Sequence, residues 1–284
     1  MQKKIELEVG FKTQLWPIAY GITHKAIKIQ KFGFYMPQYE DIYLTNNLAY
    51  IHGYDPSPRT TDCITETDDT STTILHNFIN FMVMCKNRNT NAIDSLYTED
   101  SLIENRSKIF DLIIENRDLF VGPTIYHAYY EHSIKLFNKL LTFREPSNSY
   151  NVTMPTRKRN KKTIKLQNHN FDPELAVNSV RLMNQAVEWC TYHSIDLLSD
   201  NELHMDIIKG EINFAELQSH FETLKQRVET MCPSDIKINS DVKHKAIRKL
   251  LKNCLEEHYG TMKKSKLSNQ IINEIDKVLE KYKI

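Results

Sequence analysis

No run of roughly eighteen apolar residues occurs in the chain, so it offers no membrane-spanning helix. It has no excess of either charge: 37 Lys and Arg stand against 36 Asp and Glu, a net charge of +1. The molecule as a whole is therefore not a magnet for polyanions, and any affinity for nucleic acid must come from local patches. The five cysteines (Cys63, Cys85, Cys190, Cys232, Cys254) form no C-x-x-C pair. An odd, scattered set predicts reduced thiols in a cytosolic protein, with packing roles for Cys85 and Cys190. No Cys/His group has the spacing of a zinc site. His24, His76, His127 and His193 stand alone, without a partner at the spacing of a nucleophilic triad. The N-terminal MQKKIELEVGF is charged and does not read as a signal peptide, so a soluble, cytoplasmic protein is expected. Glycine is scarce, at seven residues, while Asn, Lys and Ile are abundant; this fits an AT-rich genome such as that of a phage.

What is present is room for a core and two kinds of periodicity. A chain of 284 residues with 40% hydrophobic content can build two modest domains or one larger one. Residues 1–69 read as strands and turns, with β-branched and aromatic residues over Lys28–Met36 and a helix-excluding loop at Tyr54-Asp55-Pro56-Ser57-Pro58. From Asp69 the period changes. Ile74, Phe78, Phe81, Met82 and Cys85 predict an amphipathic helix capped by Thr70 or Ser71 and ended by Asn87–Asn91. Further helices are expected over Ala92–Tyr97, Lys108–Asn116 and Val121–Leu141. The segment Glu145–Asn170, with Pro146, Pro155 and a basic run, reads as a linker. Asp172-Pro173 opens a long helix with Ala176, Val180, Met183, Val187 and Cys190 inward. Helices follow over Phe214–Val228, from Asp241 (Val242, Ala246, Leu250 and Cys254 inward), and from about Ser268 to Tyr282. The expected fold is α/β of the α+β kind. A small mixed-sheet module at 1–144 precedes a basic linker at 145–170 and a helical domain at 171–284.

Residues 16–37, WPIAYGITHKAIKIQKFGFYMP, resemble the active-site hairpin of the phage and bacterial predicted nucleotidyltransferases of the DNA polymerase β-like superfamily. That hairpin runs G-S-x-A-Y-G, six variable residues, D-x-D, two residues, Gly, and a strand ending in Pro. Ala19-Tyr20-Gly21, Gly33, Tyr35 and Pro37 match. Trp16-Pro17 stand in place of Gly-Ser, and Lys28 and Gln30 in place of the two aspartates. Three later stretches agree in order. Asp69–Tyr97 keeps Asp69, Phe78, Asn89 and Leu96-Tyr97, with Asn77 for Lys and Asp94 for Glu. Glu115–Lys135 looks like the third of the family's stretches. The stretch from Glu174 to Glu211 keeps Ala176, Arg181, Gly210 and Glu211, with Glu174 and Asn178 in place of Lys and His.

The resemblance implies a nucleotidyltransferase-like module whose chemistry has been altered. Mg²⁺ needs hard anionic oxygens, which an ammonium at 28 and an amide at 30 do not supply. Pro17 has no N–H to give a triphosphate, and Trp16 adds bulk where backbone must come close. Asp69 is the candidate remnant carboxylate. No cofactor is expected, with Mg²⁺ required only if transfer survives through other acids such as Asp62, Glu66, Asp68 and Asp69.

The expected function is thus a catalytically impaired, phage-type protein that binds RNA, with tRNA suggested by superfamily analogy. Lys28, Gln30, Arg181 and Lys209 are the candidate nucleotide or phosphate ligands. Lys28 and Gln30 alternatively occupy an ordinary strand face, and Arg181 alternatively serves a structural ion pair. Arg157, Lys158, Arg159, Lys161 and Lys162, and Lys245, Arg248, Lys249 and Lys252, are candidate nucleic-acid contacts or else solvated charge. Tyr126, Tyr129 and Tyr130 either stack bases or fill core. Two alternatives stand beside this reading: an active metal-dependent nucleotidyltransferase, and a module that binds a host protein.

Overall fold

The computed structural model describes residues 8–22, 28–37, 63–144, 171–198, 201–232 and 240–259. Within them a mixed five-stranded sheet is followed mainly by helices, an α+β arrangement. The strands are β1 (Glu8–Trp16), β2 (Ile29–Met36), β3 (Cys63–Thr67), β4 (Ser71–Asn77) and β5 (Ile103–Arg106). The helices are α1 (Phe78–Lys86), α2 (Thr90–Ser95), α3 (Lys108–Glu115), α4 (Ile125–Arg144), α5 (Pro173–Tyr192), α6 (Asn201–Lys209), α7 (Phe214–Met231) and α8 (Ser240–Tyr259). Two compact units result, one from 1–16, 28–122 and 237–284, the other from 17–27 and 123–236. They do not follow the division into 1–144 and 171–284 drawn from sequence. Helix α4 groups with α5–α7, and α8 groups with the sheet. The linker at 145–170 and the expected helix at 268–282 lie outside the described residues.

In the first unit the sheet order is β3-β4-β2-β1-β5. Strand β1 pairs antiparallel with β2 and β5, and β3 pairs antiparallel with β4. Strand β2 runs parallel to β4, with Ile29 opposite Ser71 and Tyr35 opposite Asn77. Phe11, Phe34, Phe78, Phe81 and Phe110 are fully buried. Phe11 stacks on Phe110 at 3.7 Å between ring centroids, and Phe34 lies 5.0 Å from Phe81. Burying one such ring stabilises by about 1.5–3 kcal/mol relative to leaving it exposed, so this cluster anchors α1 and α3 to the sheet. Gly33 is required by close approach: a Cβ there would come within 2.0 Å of the Phe11 carbonyl oxygen.

The helix expected from Thr70 or Ser71 begins later. Residues 71–77 are strand β4, and α1 starts after Asn77, whose Oδ1 accepts the Ile79 N–H at 2.9 Å. Thr72, Thr73 and Ile74 are consecutive β-branched residues with two strands to pair against, which outweighs the three- and four-residue apolar spacing.

The second unit is built on α5, which is buried along most of its circumference, including Ala176, Val177, Val180, Leu182, Met183 and Ala186. It opens as the sequence implies. The Asp172 carboxylate accepts the Leu175 N–H at 3.1 Å, and Pro173 occupies the first turn. Helix α7 opens with a capping box in which Asn213 and Glu216 satisfy each other's backbone N–H groups. Phe137 of α4 stacks on Phe221 of α7 at 3.8 Å. Tyr126 and Tyr129 are buried in this core and are not available to bases, while the Tyr130 hydroxyl donates to Glu229 at 2.6 Å.

One expectation is overturned here. Cys190 and Cys232 are disulfide-bonded, joining the last turn of α5 to the residue that follows α7. Forty-two residues apart in sequence, they meet because α5 and α7 pack side by side. The inference of a reducing compartment from scattered cysteines loses its basis. Cys85 and Cys254 remain buried thiols, and burial pushes the Cys254 thiol up to about 12. No helix among the described residues is long and apolar enough to cross a membrane.

Candidate functional site

The N-terminal ends of β2 and β4, neighbouring inner strands of the sheet, bring Lys28, Gln30 and Asp69 into one region. Lys28 precedes β2, Gln30 lies on it, and the turn between β3 and β4 (Asp68, Asp69, Thr70) runs alongside. The Lys28 ammonium donates to the Asp68 carbonyl oxygen at 2.5 Å, and the Ile29 N–H donates to the Thr70 carbonyl at 3.1 Å. Gln30 pairs in register with Thr72, on the strand face that carries Phe32 and Phe34 farther along. Lys28, Gln30 and the Asp68–Thr70 turn therefore form one local group, with Asp69 exposed in it.

The acids of that group do not make a Mg²⁺ site. The Asp68 carboxylate accepts from the Ser71 hydroxyl (2.8 Å), the Ser71 N–H (2.6 Å), the Thr70 N–H (2.7 Å) and the Thr70 hydroxyl (2.9 Å). These donors, the Ser71 hydroxyl foremost, hold its carboxyl well below the usual carboxylate range. Asp68 thus closes the β3–β4 turn. Glu66 is exposed on β3, and Asp62 lies outside the described residues. Among the described residues no three His, Cys, Asp or Glu side chains come together as a metal site. An ammonium, an amide and a turn-closing carboxylate do not fit the oxygen shell that Mg²⁺ demands. Trp16 is buried at the end of β1. Pro17 opens the short 3-10 turn Ile18–Tyr20, where a phosphate-cradling nest would require N–H groups.

Helix α8 carries the second group. Ile247, Leu250, Leu251 and Cys254 face inward, while Lys245, Lys249 and Lys252 are exposed and Arg248 is partly buried. At 100° per residue these four cations span one face, as the sequence implies. Lys252 shares its charge with Glu256 at 3.6 Å. Sequence reasoning missed the cations around this helix. Lys86 and Arg88, at the end of α1, lie near Arg248 and Lys243 respectively. Burial lowers the pKa of Lys86, Arg88 and Lys243, and the facing cation adds to this for Lys86 and Lys243. Lys12 and Lys31 hold Glu104 at 3.1 and 2.6 Å, and Arg106 holds Asp100 and Asp111.

The remaining candidates fall in the second unit. Arg181 on α5 is only 4% exposed. It donates to Gln185 Oε1 at 2.8 Å and lies over the Tyr20 ring at 3.8 Å, so its guanidinium faces a buried cluster instead of solvent. Lys209 is exposed in the last turn of α6. Beside Arg181 sits His204 of α6, fully buried, with neither ring nitrogen hydrogen-bonded. Burial first, then the Arg181 guanidinium and His220, hold its pKa down to about 3. Nothing in the sequence around His204 marks it; its isolation arises when α6 is packed against the polar stretch of α5. The run Arg157, Lys158, Arg159, Lys161 and Lys162 lies outside the described residues, as does His24.

No protein-family model, curated protein or solved structure matches the chain.

Proposed function

We propose that this chain is a nucleotidyltransferase-like protein without metal-dependent transfer, which binds RNA, with tRNA the candidate class, through local basic patches. The observation that carries this reading lies at the N-terminal ends of β2 and β4. There Lys28 lies on the Asp68 carbonyl with Gln30 beside it, at the positions where the resemblance expects the two metal-binding aspartates. A fixed ammonium at that point repels a divalent cation and attracts phosphate without one. The α8 face supplies further phosphate contacts.

The test is a transfer assay with labelled nucleoside triphosphates, Mg²⁺ or Mn²⁺, and RNA, protein or small-molecule acceptors. No transfer is expected, and transfer that disappears in Asp69→Ala overturns the proposal in favour of the active enzyme. RNA binding is measured alongside. Affinity should fall steeply with salt, and charge reversal at Arg157, Lys158, Arg159, Lys161 and Lys162 should abolish it.

A protein partner is the second reading. It draws on Tyr192, Leu198 and Met231, which are 73%, 41% and 40% exposed. Tyr192 also lines a groove of about 130 Å³ with Thr191 and Arg227. A partner recovered by the full chain after nuclease treatment, and lost in Tyr192→Asp, supports it.

A further inference from the structure

The Cys190–Cys232 bridge sits where the packing of the second unit stops. On α7 the buried residues are Phe214, Leu217, Phe221, Leu224 and Val228. Beyond Val228, Glu229, Thr230 and Met231 are exposed and Cys232 is half-buried. On α5 the last buried residue is Trp189; Cys190 is half-buried, and Thr191 and Tyr192 are exposed. The bridge therefore ties together two helix ends that the core does not hold. Opening it releases about one turn of each helix, while Leu224, Val228 and the stacking of Phe221 on Phe137 keep α7 docked.

The surroundings of the bridge are also distinctive. Cys85 and Cys254 are buried thiols, whereas neither bridged cysteine lies in the core. Tyr192 is two residues past Cys190, and Met231 immediately precedes Cys232; both are among the exposed large hydrophobic side chains. The groove at this end has a wall from each helix, with Thr191 and Tyr192 from α5 and Arg227 from α7. Thr191 and Tyr192 directly follow one bridged cysteine, and Arg227 lies on the helix that ends at the other. The bond thus sets the spacing of the two walls.

We infer that Cys190–Cys232 is a reversible thiol–disulfide exchange site, which takes a thiol reductant and whose state sets the groove between α5 and α7. A thiolate of the reductant attacks one sulfur of the bridge, forming a mixed disulfide. The electron pair of the broken S–S bond goes to the other cysteine sulfur, which takes up the proton that the reductant gave up. A second thiolate of the reductant then displaces the first cysteine, which is protonated in the same way. Two electrons enter the protein, two cysteine thiols result, and the reductant leaves as its disulfide. A bridge shielded by packing resists this reaction, whereas an accessible one exchanges. The thiol belongs either to a small molecule of the glutathione kind or to a dithiol protein. A partner that binds at Tyr192 would become redox-dependent, and that consequence alone rests on the protein-partner reading; the exchange site does not.

The experiment uses the full chain, oxidised and without denaturant, with two probes: glutathione mixtures of graded ratio, and a thioredoxin-type dithiol protein. Differential alkylation and peptide mass reveal whether Cys190 and Cys232 are thiols, and hydrogen exchange reports the backbone. The bridge should open under reductant and close again in oxidised glutathione. Protection should be lost in the last turns of α5 and α7 and kept over the rest of both helices. Cys190→Ser with Cys232→Ser should show the exchange pattern of the reduced parent and no response to either probe. Opening by glutathione identifies a small thiol as the reactant, and opening by the dithiol protein alone identifies a protein. A bridge that both probes leave closed until denaturant is added is purely structural and overturns the inference. Loss of protection along the whole of α5 and α7 on reduction also overturns it, because the bond would then hold the fold and not the groove. Cysteines that stay as thiols in oxidised glutathione overturn it as well.

Discussion

His204 makes the stability of the second unit depend on pH in a direction the structure specifies. Its ring is fully buried, neither nitrogen is hydrogen-bonded, and Arg181 from α5 and His220 from α7 face it, so its pKa is held down to about 3. In the unfolded chain the same ring titrates near 6.5. Above that value it is neutral in both states and contributes no pH dependence. As pH falls below 6.5 the unfolded chain takes up a proton that the folded chain refuses, so stability is lost until the folded pKa is passed. The slope approaches about 1.4 kcal/mol per pH unit. Between pH 7.5 and pH 5 the loss is therefore about 2 kcal/mol, and over the whole window it is about 5 kcal/mol, both order-of-magnitude figures. Urea unfolding at the two pH values measures it, with Trp189 on α5 as the probe in a Trp16→Phe background so that the signal reports one unit. His204→Leu removes the titrating group without adding a buried polar atom, and its loss between pH 7.5 and 5 should be smaller than the parent's by about 2 kcal/mol. Equal pH dependence in parent and variant would refute the burial argument.

Three further outcomes follow from the fold and the α8 face. Reducing the Cys190–Cys232 bond reopens a loop with a sequence separation of 42 and should cost about 4 kcal/mol by chain entropy. Urea titration with and without reductant, read by Trp189, checks this. Gly33→Ala forces a Cβ against the Phe11 carbonyl and should destabilise the sheet unit by about 3 kcal/mol or more; Trp16 fluorescence in a Trp189→Phe background reports it. Lys245→Glu with Lys249→Glu should reduce the slope of log affinity for single-stranded RNA against log salt by about 1.4, near 0.7 for each lost phosphate contact. An unchanged slope would remove α8 from the RNA surface.

Local chemistry made much of this molecule legible in advance. The helix opened by Asp172-Pro173, the α3 helix from Lys108 and the basic face of α8 were each readable because capping and helical periodicity act within a few residues. Strand β4 was misread for the opposite reason. Ile74 and Phe78 fit a helical spacing, but two neighbouring strands and three β-branched residues decided residues 71–77. Helix α6 was not anticipated, and His204 with it, although Glu202 in its first turn, Lys209 in its last and Gly210 just beyond it are helix-end signals.

The sequence by itself determined the α+β class and the starts of α3, α5, α7 and α8, because these follow from residue type and short-range spacing. Only the tertiary structure decided which residues face one another across long separations. It joined Cys190 to Cys232, assigned α4 and α8 to their units, withdrew Arg181 into a buried cluster, closed a turn with Asp68, and brought Arg88 opposite Lys243 over Gly122. Those pairings depend on how helices and strands pack, and no local propensity encodes a partner tens of residues away.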